Sequence, residues 1–393
     1  MKICPFFCNK LNYPSYNQKK LTMNISIVLG MGFGDEGKGA FVNYLCGKVK
    51  NPLVIRFNGG HQVGHTVVVG DKRHVFSNFG SGTLSGAHTY WSEYCTVSPN
   101  GVMREGKVLR DMGLDPHIVF NGNAMITTPF DILKNHVLDG RHNHGSVGVG
   151  FGTTIQRNED HYHLYVRDLK FPAIRDAKIR LLQEKYYGYI TPDNSKTKTM
   201  IEEFKVACDD LVKRYDIVNN INISYYNDII FEGGQGIMLD TNYGFFPHVT
   251  RSNTTSKNAL EIFRKNSMGC EPYLKTYYVT RAYQTRHGNG PMTNEGLDIT
   301  HIKDNPLETN VDGFQGEFRK SVLDMDLLRY AFECDLYYNP KSSKNIVVTC
   351  LDQVPEDLPV THNNELITIK TSKVGSCIGI HNQLSSYSDK GVD

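Results

Sequence analysis

Ile25-Ser26-Ile27-Val28-Leu29-Gly30-Met31-Gly32-Phe33-Gly34-Asp35-Glu36-Gly37-Lys38-Gly39 decides how the rest of the chain is read. The first five residues are short, apolar and rich in β-branched side chains, the pattern of a buried strand that stops at Gly30. Beyond the glycines, Phe41, Val42, Tyr44 and Leu45 recur at helical spacing, so the segment reads strand, glycine loop, helix. Glycine lets main-chain N–H groups turn toward an anion, the helix N-terminus adds partial positive charge, and Lys38 adds a full one. That is the chemistry of a phosphate cradle, to which Gly34, Glu36, Gly37, Lys38 and Gly39 are assigned. The loop departs from the GxxxxGK[ST] form: Gly34 to Lys38 is shorter, and Gly39 replaces the hydroxyl residue that would hold Mg²⁺. Asp35 becomes the candidate metal ligand. The plain alternative is a glycine turn with solvated Asp35 and Glu36.

Further apolar runs end in polar or glycine turns: Leu53 to Phe57, His117 to Phe120, Asp228 to Glu232, Tyr273 to Thr280 and Asn345 to Cys350. Between them, Met200 to Tyr215 places Ile201, Phe204, Ala207, Cys208, Leu211 and Val212 on one helical stripe. Strands alternating with helices predict an α/β fold, a large, mostly parallel central sheet with flanking helices and a P-loop-like phosphate-binding loop. Its ligands would bind beyond the carboxyl ends of the strands. Residues 1–22, with four lysines among Pro, Tyr and Asn, lack the apolar core of a signal peptide and read as a disordered extension, with Met23 as the true start. No repeat or linker divides the remainder, so 23–393 is expected to form one domain.

With 39% hydrophobic and 21% charged residues, the 393-residue chain has the composition of a globular protein. Its net charge of +2 gives no global field for nucleic acid or an anionic membrane, so any phosphate site must be local. No apolar run reaches the roughly 18 to 20 residues that cross a bilayer. The nine cysteines are scattered and form no CxxC pair, which points to reduced thiols in a cytoplasmic setting.

After the second predicted strand comes Asn58-Gly59-Gly60-His61-Gln62-Val63-Gly64-His65-Thr66. Histidines among glycines on a strand-end loop can approach a ligand closely, and an imidazole can donate a proton to an oxygen that gains charge. A zinc pair at this spacing would need a helix, and the loop is too rich in glycine to form one.

The order GDEGKG, then NGGHxxGHT, resembles the adenylosuccinate synthetase family. Phe231-Glu232-Gly233-Gly234-Gln235-Gly236 with Leu239-Asp240 resembles its FEGxQGxxLD segment, and Pro247 to Thr255 its PxVTxSNTT segment. Arg281 to Pro291 is similar to AYxTRxGxGP, and the similarity runs in order from about Met23 to Gln353. The resemblance implies one catalytic domain over 23–393 and a ligase that joins L-aspartate to the 6-position of a purine nucleoside monophosphate at the expense of a nucleoside triphosphate. It implies catalytic roles for Asp35, Lys38 and His61: Asp35 takes the N1 proton, and His61 stabilises charge between the 6-oxygen and the γ-phosphate. It further assigns Asn58, Gln235 and Thr250 to the purine nucleotide, Asp352 to the base of the triphosphate, and Mg²⁺ to Asp35 and the Gly60 carbonyl. A homodimer is also implied, with Arg157 near the segment that reaches a neighbour.

Three segments depart from the family pattern. The GTTGRGIGP stretch appears as Gly145 to Thr154, with Val147 and Val149 at a threonine and an arginine position. The lysine of TKLD becomes Cys350 in Thr349-Cys350-Leu351-Asp352, which opens the donor to GTP, ATP or dATP. The aspartate-binding TGRxRR loop is replaced by Phe314 to Lys320, leaving Arg319 for the aspartate carboxylates. Retention of Asp35 favours IMP as acceptor and adenylosuccinate as product. The phage-type alternative is dGMP with an ATP or dATP donor, and a non-catalytic nucleotide switch is the alternative from another class.

Overall fold

In the computed structural model, which describes residues 23–142, 147–188, 195–267, 272–305 and 316–387, the opening stretch is the strand β1, Met23–Gly30. Ile25, Ile27 and Leu29 enter one apolar cluster, whereas Val28 joins Phe41 and Val42 of helix α1, Lys38–Gly47, in another. Both faces of β1 are thus covered, which is why the sequence shows a continuous apolar run rather than alternation. Full burial of a side chain such as Phe41 is worth ~1.5–3 kcal/mol, so this packing fixes α1 against the sheet.

The other main-sheet strands are β2 (Pro52–Arg56), β3 (His88–Trp91), β4 (Ile118–Asn121), β5 (Asp216–Val218), β6 (Asp228–Glu232), β7 (Pro272–Arg281), β8 (Ser343–Thr349) and β9 (Asn382–Ser385). Their order is β9-β8-β7-β1-β6-β2-β3-β4-β5, and every neighbouring pair is parallel. From β1 the chain runs outward to β5, returns to insert β6 beside β1, and then crosses to build β7, β8 and β9. The expected α/β architecture is present, with a main sheet that is wholly parallel among the described residues.

Because the strands are parallel, all their carboxyl ends lie on one edge, and β1 and β7 flank a point where the chain changes direction. Such a switch point leaves a crevice for ligands. Two helices beyond α1 matter for the far half of the molecule: α2, Pro99–Asp111, and α3, Ser195–Arg214. Ile201, Phe204, Cys208 and Leu211 of α3 join Val102 and Leu109 of α2 in one core cluster. The predicted stripe is therefore the buried face, and its helix begins five residues earlier than the periodicity suggests. No helix among the described residues is long and apolar enough to cross a membrane. The extension 1–22 lies outside the described residues.

Candidate active site

The loop between β1 and α1 takes left-handed backbone at Gly34 (φ 97°), Asp35 (φ 59°) and Gly37 (φ 91°). Glycine adopts that region freely, and aspartate is among the few other residues that tolerate it. Neighbouring strands grip the loop from outside. Arg281 Nε, at the end of β7, donates to the Asp35 carbonyl at 2.6 Å, and Thr349 Oγ1, at the end of β8, donates to the Glu36 carbonyl at 2.8 Å.

Inside the loop, Glu36 does not face a ligand. Its Oε1 accepts from the amides of Gly32 and Gly34, each at 3.0 Å, and its Oε2 is paired with the Lys38 ammonium; both side chains are buried. Two loop amides and the lysine are thus satisfied by an internal carboxylate. The Glu36 side chain is therefore spent inside the loop, and a phosphate would meet this residue only through its main-chain amide. Gly34, Gly37 and Gly39 remain, with the first-turn amides of α1 that lack intrahelical acceptors.

Asp35 opens into the crevice, its side chain 43% exposed, with Oδ2 3.1 Å from His287 Nε2. Partial desolvation opposes ionisation. The hydrogen bond from His287 and the charges of His287, Arg281 and Lys38 outweigh it, so the carboxyl is held below the usual range.

The two histidines of the second loop have different surroundings. His61 Nδ1 lies 3.1 Å from Asn78 Oδ1, and its ring edge abuts Gly101 of α2. Asn78 donates its amide to Glu105, so its oxygen faces His61 and the proton sits on Nδ1. Burial lowers the His61 pKa, against the pull of the Glu105 charge and the Asn78 hydrogen bond. His65, by contrast, packs on Gly39 at the start of α1, with Nδ1 2.5 Å from Glu232 Oε1 at the end of β6. Its Nε2 is buried with no hydrogen-bond partner. Glu232 also accepts from the Ser81 amide and hydroxyl. Burial disfavours its charge, but His65, Arg56 and Ser81 overcome that and bring its pKa down to about 2.

The loop after β6 meets both others. The Gln235 carbonyl lies 2.7 Å from the point where a side chain on Gly30 would begin, and the Gln62 and Gln235 amides both flank Gly59. Ser252 Oγ accepts from the Gly59 amide at 3.3 Å, bringing in the segment after Pro247. Around this junction Gln62 (both amide atoms), Gln235 Oε1, Thr250 Oγ1 and Asn253 Nδ2 are buried without hydrogen-bond partners among the described residues. Buried polar groups are normally satisfied, so a cluster of orphans marks a place for a polar ligand. Asn58 does not belong to it. Its Nδ2 donates to the Gly234 carbonyl at 3.0 Å and its Oδ1 accepts from the Gly234 amide at 2.7 Å, so the side chain clamps the two loops together.

A family model described as adenylosuccinate synthetase matches residues 27–360, and these loops lie within that span. The chain belongs to the adenylosuccinate synthetase family. It is 30% identical to the adenylosuccinate synthetase of Streptomyces coelicolor over 84% of this chain and 79% of that one. It is also 30% identical to that of Clostridium botulinum (strain Eklund 17B / Type B), over 71% and 67%. Among solved structures, the fully ligated adenylosuccinate synthetase of Plasmodium falciparum superposes with a TM-score of 0.65 at 21% identity, covering 88% of this chain and 82% of that one. The succinoaminodeoxyadenylate synthetase of cyanophage S-2L, bound to dGMP and dATP, gives 0.57 at 14% identity and 95% coverage of both. Both likenesses concern the fold. Membership makes the chain a nucleotide-dependent ligase, and nothing in these similarities supports a non-catalytic switch.

Within the family frame, several assignments acquire local partners. Arg319 Nη2 donates to the carbonyls of Gly288 and Gly290, and Nη1 pairs with Glu295, while its buried Nε has no partner among the described residues. It therefore braces the Gly288–Gly290 turn, beside its cross-strand neighbour Arg286. Burial and the Arg319 charge hold the Arg286 guanidinium down to about 10. Asp352 is exposed beside Lys303, whose Nζ is 3.5 Å from the Asp352 carbonyl. The Gly60 carbonyl accepts from Val63 in a tight turn. Arg157 is wholly buried, binding both oxygens of Asp131 at 2.9 and 3.1 Å and the carbonyls of Tyr162 and Ile126. An arginine so committed is a structural brace of its own subunit. Gly145, Ser146, Phe314 and Gln315 lie outside the described residues. The sequence reading passed over Gln62 and Asn253, although both stand inside the quoted motifs, and it weighed His65 beside His61 without giving it a role; His287 falls at a variable motif position and carries no signal of its own.

Proposed function

We propose that the chain joins L-aspartate to the 6-position of IMP, giving adenylosuccinate through a 6-phosphoryl intermediate driven by a nucleoside triphosphate. The observation that carries this reading is Asp35, an accessible carboxylate kept ionised at the switch point, in a loop whose Gly34 abuts the Gln235 backbone. An ionised carboxylate can take the N1 proton, which raises the nucleophilicity of the 6-oxygen. That oxygen attacks the γ-phosphorus, the bond to the β,γ-bridging oxygen breaks, and nucleoside diphosphate leaves. The amine of aspartate then attacks C6, and phosphate departs with the 6-oxygen.

For the histidine that stabilises charge between the 6-oxygen and the γ-phosphate, the geometry supports His65 better than His61. His65 stands against the first turn of α1, oriented by Glu232, with Nε2 unspent. Lys38 contributes its full charge once a phosphoryl group competes with Glu36 for the ammonium. Thr250, with Gln62, Gln235 and Asn253, holds the acceptor nucleotide; Asp352 receives the donor base, and the Nε of Arg319 is left for an aspartate carboxylate. Asp35, the Gly60 carbonyl and substrate phosphates would offer Mg²⁺ an all-oxygen set, which suits an ion that typically uses one or two carboxylates and completes its shell with phosphates and water. When bound, the ion neutralises charge on the phosphates. A cytoplasmic homodimer binding only small molecules, with no nucleic-acid partner, completes the proposal.

Phosphate release with aspartate, Mg²⁺ and each pairing of IMP, GMP or dGMP with GTP, ATP or dATP tests it. Aspartate-dependent turnover with IMP is expected. Turnover with dGMP but not IMP would replace the acceptor, and no turnover with any pair would remove the activity.

A further inference from the structure

His287 closes the strand Gln284–His287, which pairs antiparallel with Phe318–Ser321 and hangs over the crevice from the end of β7. Its ring lies 4.9 Å from the Phe318 ring, centroid to centroid, which fixes the plane of the imidazole. Nε2 is 3.1 Å from Asp35 Oδ2, an ion-pair contact without the full alignment of a hydrogen bond, and neither ring nitrogen has any other partner among the described residues. Asp35 is held at its other end as well, through the carbonyl that accepts from Arg281. The backbone anchor leaves the side-chain torsions of Asp35 unset, and the terminal carboxylate torsion is broad unless something pins it. Oδ1 has no partner among the described residues.

We propose that His287 is a positioning residue for the proposed reaction: its Nε2–H pins Oδ2 of Asp35 and thereby turns Oδ1 toward the purine N1–H. The inference rests on the proposed function. His287 does not touch the reacting atoms; it acts through Asp35. A carboxylate that rotates freely presents an oxygen to N1 only part of the time, and orientation of a catalytic group is a rate term rather than a binding term. Removing the donor therefore lowers kcat while leaving KM for the triphosphate and for aspartate in place.

The test compares wild type, His287→Gln and His287→Val in the full chain, with the acceptor and donor that support turnover. Glutamine places an amide N–H close to the Nε2 position, whereas valine fills space without a donor. His287→Val is expected to lose roughly 10- to 100-fold in kcat, as partners of a functional group commonly do, with both KM values within about two-fold. His287→Gln is expected to recover most of the rate. A second readout isolates the first step: without aspartate, scrambling of oxygen-18 between bridging and non-bridging positions of the triphosphate should fall in parallel with kcat for valine and recover for glutamine. Full activity in His287→Val would overturn the proposal. Equal losses in both variants would also overturn it, because that pattern assigns His287 to packing on Phe318. Loss of aspartate-dependent phosphate release already in wild type would instead sink the proposed activity, and this inference with it.

Discussion

His65 and Gly39 occupy one space: a side chain on Gly39 would begin 2.5 Å from His65 Cβ and 2.8 Å from Ser81 Oγ. In a standard phosphate loop this position carries the hydroxyl that binds Mg²⁺. Here the imidazole of the second loop fills it instead, so the missing hydroxyl and the histidine are one structural choice. Gly39→Ser should therefore overpack the start of α1, costing about 1–3 kcal/mol. It should also displace His65 and depress turnover. An unchanged urea midpoint with unchanged kcat would show that the two residues do not compete.

The same geometry separates the two histidines. His65→Ala should lose activity by roughly 100-fold or more if its Nε2 faces the transferring phosphoryl group, as removal of one stabilising donor does elsewhere. His61→Ala should lose less, since its ring contacts Asn78 and α2. Steady-state kinetics on the two variants decide it, and a larger loss for His61 would restore the original assignment.

Asp35→Asn should abolish turnover while leaving the thermal midpoint nearly unchanged, because the side chain is partly exposed and the loop is held through backbone carbonyls. A variant with near-normal kcat would remove Asp35 from the base role.

How far the sequence carried this account depended on how local each signal was. β1, β2, β4, β6, β7 and β8 were legible because they are continuous apolar runs closed by turn residues. β3 was not: His88-Thr89-Tyr90-Trp91 lacks a run of aliphatics, although three of its four residues are buried. β5 and β9 are short edge strands with polar ends, so neither period nor composition marks them. In the site, the glycine loop announced itself through spacing, but partners did not. That Glu36 turns inward, that Asn58 clamps Gly234 and that Arg319 braces a turn are facts of long-range pairing, invisible to a residue list.

Arg157 provides a test of that distinction. Removing one partner of a buried, hydrogen-bonded ion pair typically costs ~3–5 kcal/mol because the other charge is stranded. Thr128 and Tyr187 also donate to Asp131, which places Arg157→Met toward the lower end. The urea midpoint should fall while KM for each substrate in the folded fraction stays put. A change in KM without loss of stability would show that Arg157 is not the structural brace its ion pair indicates.

Glu232 sets the acid limit. Its carboxyl has a folded pKa of about 2 against an ordinary 4.5. A group with a depressed folded pKa stabilises the fold above its unfolded value and loses that contribution as pH falls toward the folded one. The window is therefore pH 4.5 down to about 2, and at ~1.4 kcal/mol per unit the full effect is roughly 3 kcal/mol. Above the window the contribution is constant, so changes near neutrality belong to other groups. Wild type should lose urea resistance progressively between pH 5 and 3, with Glu232 supplying part of the slope. Glu232→Gln removes that part: it should be less stable at neutral pH, because Arg56 and His65 lose their carboxylate, yet its stability should fall less steeply on acidification. Parallel pH profiles for the two proteins would mean that Glu232 is not the carboxylate whose protonation loosens the site.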